Sequence, residues 1–172
     1  MQSVPTHCKK IVVAGVSGSG KTTIGLELAH LLDGEFVDAD DFHSKAAVEK
    51  MASGQPLDDG DRVDWLSALG KSLAERERPT VLACSALKKA YRDRLRELCG
   101  GLNFVLLKAD SEEIRLRMEE RSQNGEHYMP SSLLDSQLAI LEEGDDVTIV
   151  ENVGPPEDVA ARVFGAVSRQ QV

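Results

Sequence analysis

Gly15-Val16-Ser17-Gly18-Ser19-Gly20-Lys21-Thr22 is a full match to G-x-x-x-x-G-K-[ST], and it follows directly on the apolar run Lys10–Ala14. Chemistry explains the pattern. Glycines let the backbone turn tightly enough for successive N–H groups to face phosphate oxygens, and a helix opening at Lys21 adds the positive end of its dipole. Lys21 then reaches the β- and γ-phosphates, and the Thr22 hydroxyl is suited to Mg²⁺. Nucleotide contacts are expected from Gly15, Val16, Ser17, Gly18, Ser19, Gly20, Lys21, Thr22 and Thr23. A dinucleotide-type G-x-G-x-x-G is excluded, because Thr23 stands where its last glycine belongs. The ligand expected is a nucleoside triphosphate.

Phosphoryl transfer also needs an acceptor held in line and a carboxylate to take its proton. Asp38-Ala39-Asp40-Asp41-Phe42-His43 supplies three carboxylates and an imidazole. They fall at the carboxyl edge of a sheet, where open α/β folds bind ligands. Strand alternation predicts that Asp38 and Asp40 point the same way. The apolar run 80–84 ends Ala83-Cys84-Ser85 without an aspartate, so the shell of a magnesium ion draws on another carboxylate, for which Asp38 is suited, and Asp40 is the candidate base. The alternative is a solvated acidic loop. Further on, Ser85, Lys88, Arg92 and Arg96 recur at three and four residues, a polar stripe in which Ser85, Lys88 and Arg92 lie nearest the sheet edge and suit an anionic acceptor. Arg117 and Arg121 suit a transferring phosphate or, equally, surface pairs with Glu113 and Glu119.

The elements that must position these residues are legible from periodicity. Strands are predicted over 10–14, 35–39, 80–84, 102–107 and 147–150. Helices are predicted over 21–32, after Ser44 in a brief helix carrying Val48 and Met51 and ending before Gly54, and after Asp58 or Asp59 with Val63, Leu66, Leu69 and Leu73 as a core stripe. Others follow over 86–98, from Asp110 to about 123, after Ser131 or Ser132, and from Pro156 onward with Val159, Val163 and Val167 inward. Short strands alternating with helices imply a three-layer α/β fold whose five-stranded parallel sheet is flanked by helices. The polar stretch before Pro130 reads as a mobile flap, and the 172 residues read as one domain.

Composition narrows the function further. The formal net charge of −9 opposes sequence-independent binding to nucleic acid, and a 4 % aromatic content leaves few rings for stacking on single strands. Any anion must be held by a local cationic site. No apolar run approaches a membrane span, and Cys8, Cys84 and Cys99 have neither disulfide-framework nor zinc spacing, so a cytoplasmic protein with reduced thiols is expected.

Beyond these features, the P-loop, Asp40 to His43, Lys50-Met51-Ala52-Ser53-Gly54-Gln55-Pro56-Leu57 with Asp61-Arg62 and Trp65-Leu66, and Cys84-Ser85-Ala86-Leu87-Lys88-Lys89 with Tyr91-Arg92-Asp93 together resemble the gluconokinases. His127-Tyr128-Met129-Pro130, Leu133-Leu134, Ser136-Gln137 and Leu141-Glu142 extend the resemblance, which spans roughly positions 10–143. It implies an ATP-dependent kinase acting on the 6-hydroxyl of D-gluconate, a nucleoside-monophosphate-kinase-like P-loop fold, a lid near 122–137 and a homodimer. It also implies that Asp40 activates the acceptor hydroxyl and that His43, Arg62, Ser85, Lys88 and Arg92 line the sugar-acid pocket, with His127 and Gln137 on the lid side. Lys21 and the lid arginine Arg121 would offset charge on the transferring group, with Arg117 beside the nucleotide. Where the family commonly has proline after the histidine and after Leu141-Glu142-Glu143, this chain has Ser44 and Gly144. A kinase of shikimate or of a nucleoside monophosphate, and a nucleotide-binding protein without turnover, are the alternatives.

Overall fold

Ile11, Val12, Val13 and Ala14 are all buried, and a strand apolar on both faces must be covered on both. In the computed structural model, which describes residues 10–125 and 131–169, that strand is the middle of a five-stranded parallel sheet. The strands are β1 (Lys10–Ala14), β2 (Glu35–Asp38), β3 (Thr80–Ala83), β4 (Asn103–Lys108) and β5 (Thr148–Glu151), in the order β2-β3-β1-β4-β5. Val12 lies opposite Leu82 on one side and Phe104 on the other. The described helices are α1 (Lys21–Leu31), α2 (Lys45–Ala52), α3 (Asp59–Ala74), α4 (Lys89–Cys99), α5 (Ser111–Gln123), α6 (Ser131–Ile140) and α7 (Pro156–Arg169).

Alternation along β1 divides the core. Ile11 and Val13 pack with Ile24 and Leu28 of α1 and Val159 and Val163 of α7; Val12 and Ala14 pack with Leu66, Leu69 and Leu73 of α3 and Leu95 of α4. This is the expected three-layer architecture. A smaller cluster of Val16, Leu87, Ile114, Met118 and Leu134 sits among the loops, α5 and α6 at the carboxyl end of the sheet. Local capping places several helices as expected. Ser44 Oγ accepts the Ala47 N–H, Asp58 and Asp61 form a reciprocal capping box, and Asp110 accepts from Glu112 and Glu113.

Three expectations change. Val63, assigned to the core from helical spacing, is 53 % exposed, as are Val48 and Met51 of α2 at 50 % and 40 %, because no described element covers those faces. Strand β2 stops at Asp38, and residues Ala39–Phe42 turn as one 3₁₀ segment. Helix α4 starts at Lys89 rather than 86, because Ala86 takes φ +40° and Lys88 is extended, so 84–88 is a loop. Within the segment expected as a lid, residues 126–130, His127 among them, lie outside the described residues, while 131–137 belong to α6.

Candidate active site

The loop from β1 to α1 requires its glycines. Gly20, the N-cap of α1, has φ +98°, and a Cβ on it would collide with Asn152 Nδ2. Gly18, at φ +77°, would bring a Cβ to 2.9 Å from Ile114 Cγ2. Left-handed backbone and missing space together select glycine. Asn152, which follows β5 and is 8 % exposed, donates from Nδ2 to the Ser19 carbonyl at 2.7 Å and so fixes the loop from outside. Thr22 and Thr23 are exposed in the first turn of α1.

Lys21 Nζ donates to the carbonyls of Gly15 and Val16, each at 3.0 Å. Burial holds its pKa below the ordinary lysine value; the carboxylates of Asp40 and Asp38 oppose that shift, and the Arg121 guanidinium adds to it. Lys21, Asp38, Asp40 and Arg121 thus act on one another around a single spot. Cys84 lies there too, but burial pushes its thiol up to about 12, so at neutral pH it is an uncharged, buried small side chain.

On one flank, Gly18, Gly20, Thr23, Arg117, Arg121, Asn152, Gly154 and Pro156 line a cavity of about 170 Å³, which continues the phosphate loop toward the end of β5. Arg117 also pairs with Glu113 at 3.5 Å, the surface pairing expected as its alternative. The other flank is the acidic turn. Asp40 stands off the strand, its N–H held by Asp38 Oδ1 at 2.9 Å, so alternation does not govern their directions as predicted. The side chain of Asp40 is 85 % exposed, with Oδ1 3.6 Å from His43 Nε2. His43 stacks on Trp65 at 4.7 Å, Trp65 Nε1 donates to the Ala39 carbonyl at 2.7 Å, and the buried His43 Nδ1 has no hydrogen-bond partner among the described residues. An aromatic pair therefore fixes the turn that carries the carboxylate.

Ser85 adjoins the phosphate loop, its carbonyl accepting the Gly15 N–H at 3.3 Å. Arg62 and Lys88 gather on Tyr91, each 5.5 Å from the ring centre, and the Tyr91 hydroxyl accepts from Arg62 at 2.9 Å while donating to Asp59 at 2.8 Å. Asp59, Lys88 and Tyr91, with Val63 and Leu66, border a cavity of about 310 Å³. Sequence reasoning missed Asp59 and the polar role of Tyr91, which was legible only as an apolar stripe position.

Arg92 must be reassigned. Its side chain is 2 % exposed, and all five N–H groups are bonded: Nε and Nη2 to Asp146 at 2.7 and 3.1 Å, Nη1 to the carbonyls of Ala86 and Leu87, and Nη2 again to the Glu142 carbonyl. No donor is left for a substrate. Arg92 instead holds Ala86 in its left-handed conformation and thereby sets the loop that carries Ser85 and Lys88. Arg96 joins it, donating to Asp146 as well. Gln137, expected on the lid side, clasps Ser17 of the phosphate loop.

The donor set fits magnesium. Among the described residues no group of three His, Cys, Asp or Glu side chains could hold a metal ion. Mg²⁺ in such sites keeps most of its water and binds substrate phosphates with one or two protein oxygens, which Thr22 and Asp38 can supply. A P-loop with an opposed carboxylate and basic groups, on a parallel sheet of this order, defines a small-molecule phosphotransferase of the P-loop class.

Comparison with known proteins agrees. A family model described as an AAA domain matches residues 11–143. The thermoresistant gluconokinase of Escherichia coli is 39 % identical over 165 residues, covering 92 % of this chain and 93 % of that protein. The gluconokinase of Gluconobacter oxydans is 43 % identical over 148 residues, covering 84 % and 82 %. The crystal structure of a gluconokinase from Sinorhizobium meliloti superposes with a TM-score of 0.83 at 39 % identity, covering 95 % and 94 % of the two chains. The chain belongs to the gluconokinase family. Shikimate kinase from Acinetobacter baumannii, at 22 % identity and a TM-score of 0.62 over 97 % of each chain, shares the fold alone.

Proposed function

We propose that this chain transfers the γ-phosphoryl group of ATP to the 6-hydroxyl of D-gluconate. The observation that carries the reading is Lys21, set between the phosphate loop with its flanking cavity and the Asp38–Asp40 turn, in a chain about 40 % identical to gluconokinases over most of its length. The loop amides and Lys21 bind the phosphates, Arg121 and Arg117 meet the charge that spreads over the transferring group, and Asn152 keeps the loop in shape. Asp40, exposed and uncommitted to any cation nearer than 3.6 Å, takes the proton of the acceptor hydroxyl. Arg62 and Lys88 face the carboxylate of the sugar acid, His43 and Ser85 its hydroxyls, and Arg92 holds the loop on which Ser85 and Lys88 stand. Thr22 and Asp38 would hold Mg²⁺, which would supply neutralisation of phosphate charge. His127 lies outside the described residues. We take the protein to be a homodimer working in the cytoplasm; no described helix is long and apolar enough to cross a membrane.

A coupled ADP-release assay with gluconate, shikimate and AMP as acceptors tests the reading. Turnover is expected with gluconate alone. ADP release at one rate with or without gluconate would refute it.

A further inference from the structure

The contact between Gln137 and the phosphate loop is a double one. Gln137 Oε1 accepts the Ser17 backbone N–H at 2.7 Å, and Gln137 Nε2 donates to Ser17 Oγ at 3.1 Å. In a loop of this kind a backbone N–H is a phosphate ligand. The peptide involved is identifiable, because its other end, the Val16 carbonyl, accepts from Lys21 Nζ. Lys21 is the residue that reaches the β- and γ-phosphates, so the 16–17 peptide lies at the far, γ end of the nucleotide. A carboxamide oxygen on this N–H competes with a phosphate oxygen for the same hydrogen.

The other end of this contact leads to the acceptor side. Gln137 is on α6, whose Leu134 is fully buried with Val16 and Leu87. Directly after α6, the Glu142 N–H donates to the Leu87 carbonyl at 2.8 Å, and Glu142 Oε2 accepts the Lys89 N–H at 2.6 Å. That carboxylate caps α4, where Lys88 offers no side-chain cap of its own. The segment after α6 is thus fastened to the loop that carries Ser85 and Lys88.

We propose that Gln137 reads the terminal phosphate of the donor. Its carboxamide holds the Ser17 N–H in the absence of a triphosphate and yields it to an anionic oxygen of the γ-phosphate, which is the stronger acceptor. Release of the clasp frees α6 to shift, and with it the acceptor loop tied to Glu142. A diphosphate ends short of this peptide and leaves the clasp closed. The proposal rests on the donor site assigned above.

Calorimetric titration of the full chain with ADP and with the β,γ-imido analogue of ATP, with and without gluconate, provides the test. For Gln137→Ala the analogue should bind about three- to tenfold more tightly, the range expected for losing one competing hydrogen bond, with ADP affinity changed less than about twofold. Gln137→Glu should weaken the analogue by about tenfold or more, because an anionic oxygen then opposes the phosphate. In the wild type, gluconate should bind more tightly with the analogue than with ADP, and Gln137→Ala should erase that difference. The inference is overturned if Gln137→Ala weakens the analogue, as loss of a direct ligand would, or shifts both nucleotides equally. If the wild-type protein binds neither nucleotide, the donor assignment itself falls as well.

Discussion

Replacing Asp146 with Asn tests the reassignment of Arg92 directly, because it disturbs the arginine without touching any residue assigned to substrate. Asp146 is 11 % exposed and accepts from both Arg92 and Arg96. Those hydrogen bonds, Arg92's first, hold its carboxyl at about 2 against the usual 3.8, despite burial acting the other way. Such a shift corresponds to about 2 kcal/mol of folding stability at neutral pH, and leaving a buried guanidinium without its counter-charge raises the loss toward about 3–5 kcal/mol. For a chain of this size each kcal/mol is worth roughly 2–4 °C, so Asp146→Asn should lower Tm by about 5–15 °C at pH 7. The pH dependence has a definite sign. The folded-state carboxyl titrates below the unfolded one, so its contribution is complete above about pH 5, roughly halved by pH 3 and nearly gone at pH 2. The gap between wild type and variant in thermal or urea unfolding should therefore narrow as the pH falls from 5 to 3. A Tm within 2 °C of wild type at pH 7, or a gap that stays constant with pH, would refute the account of a buried clamp.

Asp40→Asn should reduce turnover by roughly 10²–10⁴ with little change in ATP affinity; steady-state kinetics would count against a general-base role if kcat hardly moved. Arg92→Lys cannot reproduce the five-donor fork, so by denaturant unfolding it should lose about 3–5 kcal/mol of stability. A normally stable Arg92→Lys protein with a tenfold higher gluconate KM would return Arg92 to the substrate. Cys84, with its thiol pushed up to about 12, exposes as thiolate only about one molecule in 10⁴ at pH 8. Peptide mass spectrometry should find it unalkylated by iodoacetamide until urea is added, and rapid labelling of the native protein would contradict the burial. Asn152→Ala should raise the KM for ATP several-fold at unchanged gluconate KM, since it loosens the loop only at Ser19.

What was legible in the chain was what neighbouring residues settle among themselves. The phosphate loop, the caps at Ser44, Asp58 and Asp110, and the apolar strands each depend on groups a few positions apart, where backbone geometry leaves little choice. The lysine and the glycines of the loop could be assigned for the same reason. Arg92 shows the opposite case. From spacing alone it belongs to a cationic stripe with Ser85 and Lys88, but Asp146 lies 54 positions away, and only the folded chain brings the two together. Once they meet, a buried guanidinium must have every donor satisfied, and that demand removes it from the substrate site. The same holds for Asp40, which leaves the strand because Asp38 caps a turn, and for the ring of Tyr91, on which Arg62 of a different helix converges. Gln137 meets Ser17 across 120 positions. Short-range stereochemistry wrote the phosphate loop into the sequence, whereas the proposed acceptor site draws on distant side chains whose competition for hydrogen-bond partners is resolved only by the tertiary structure.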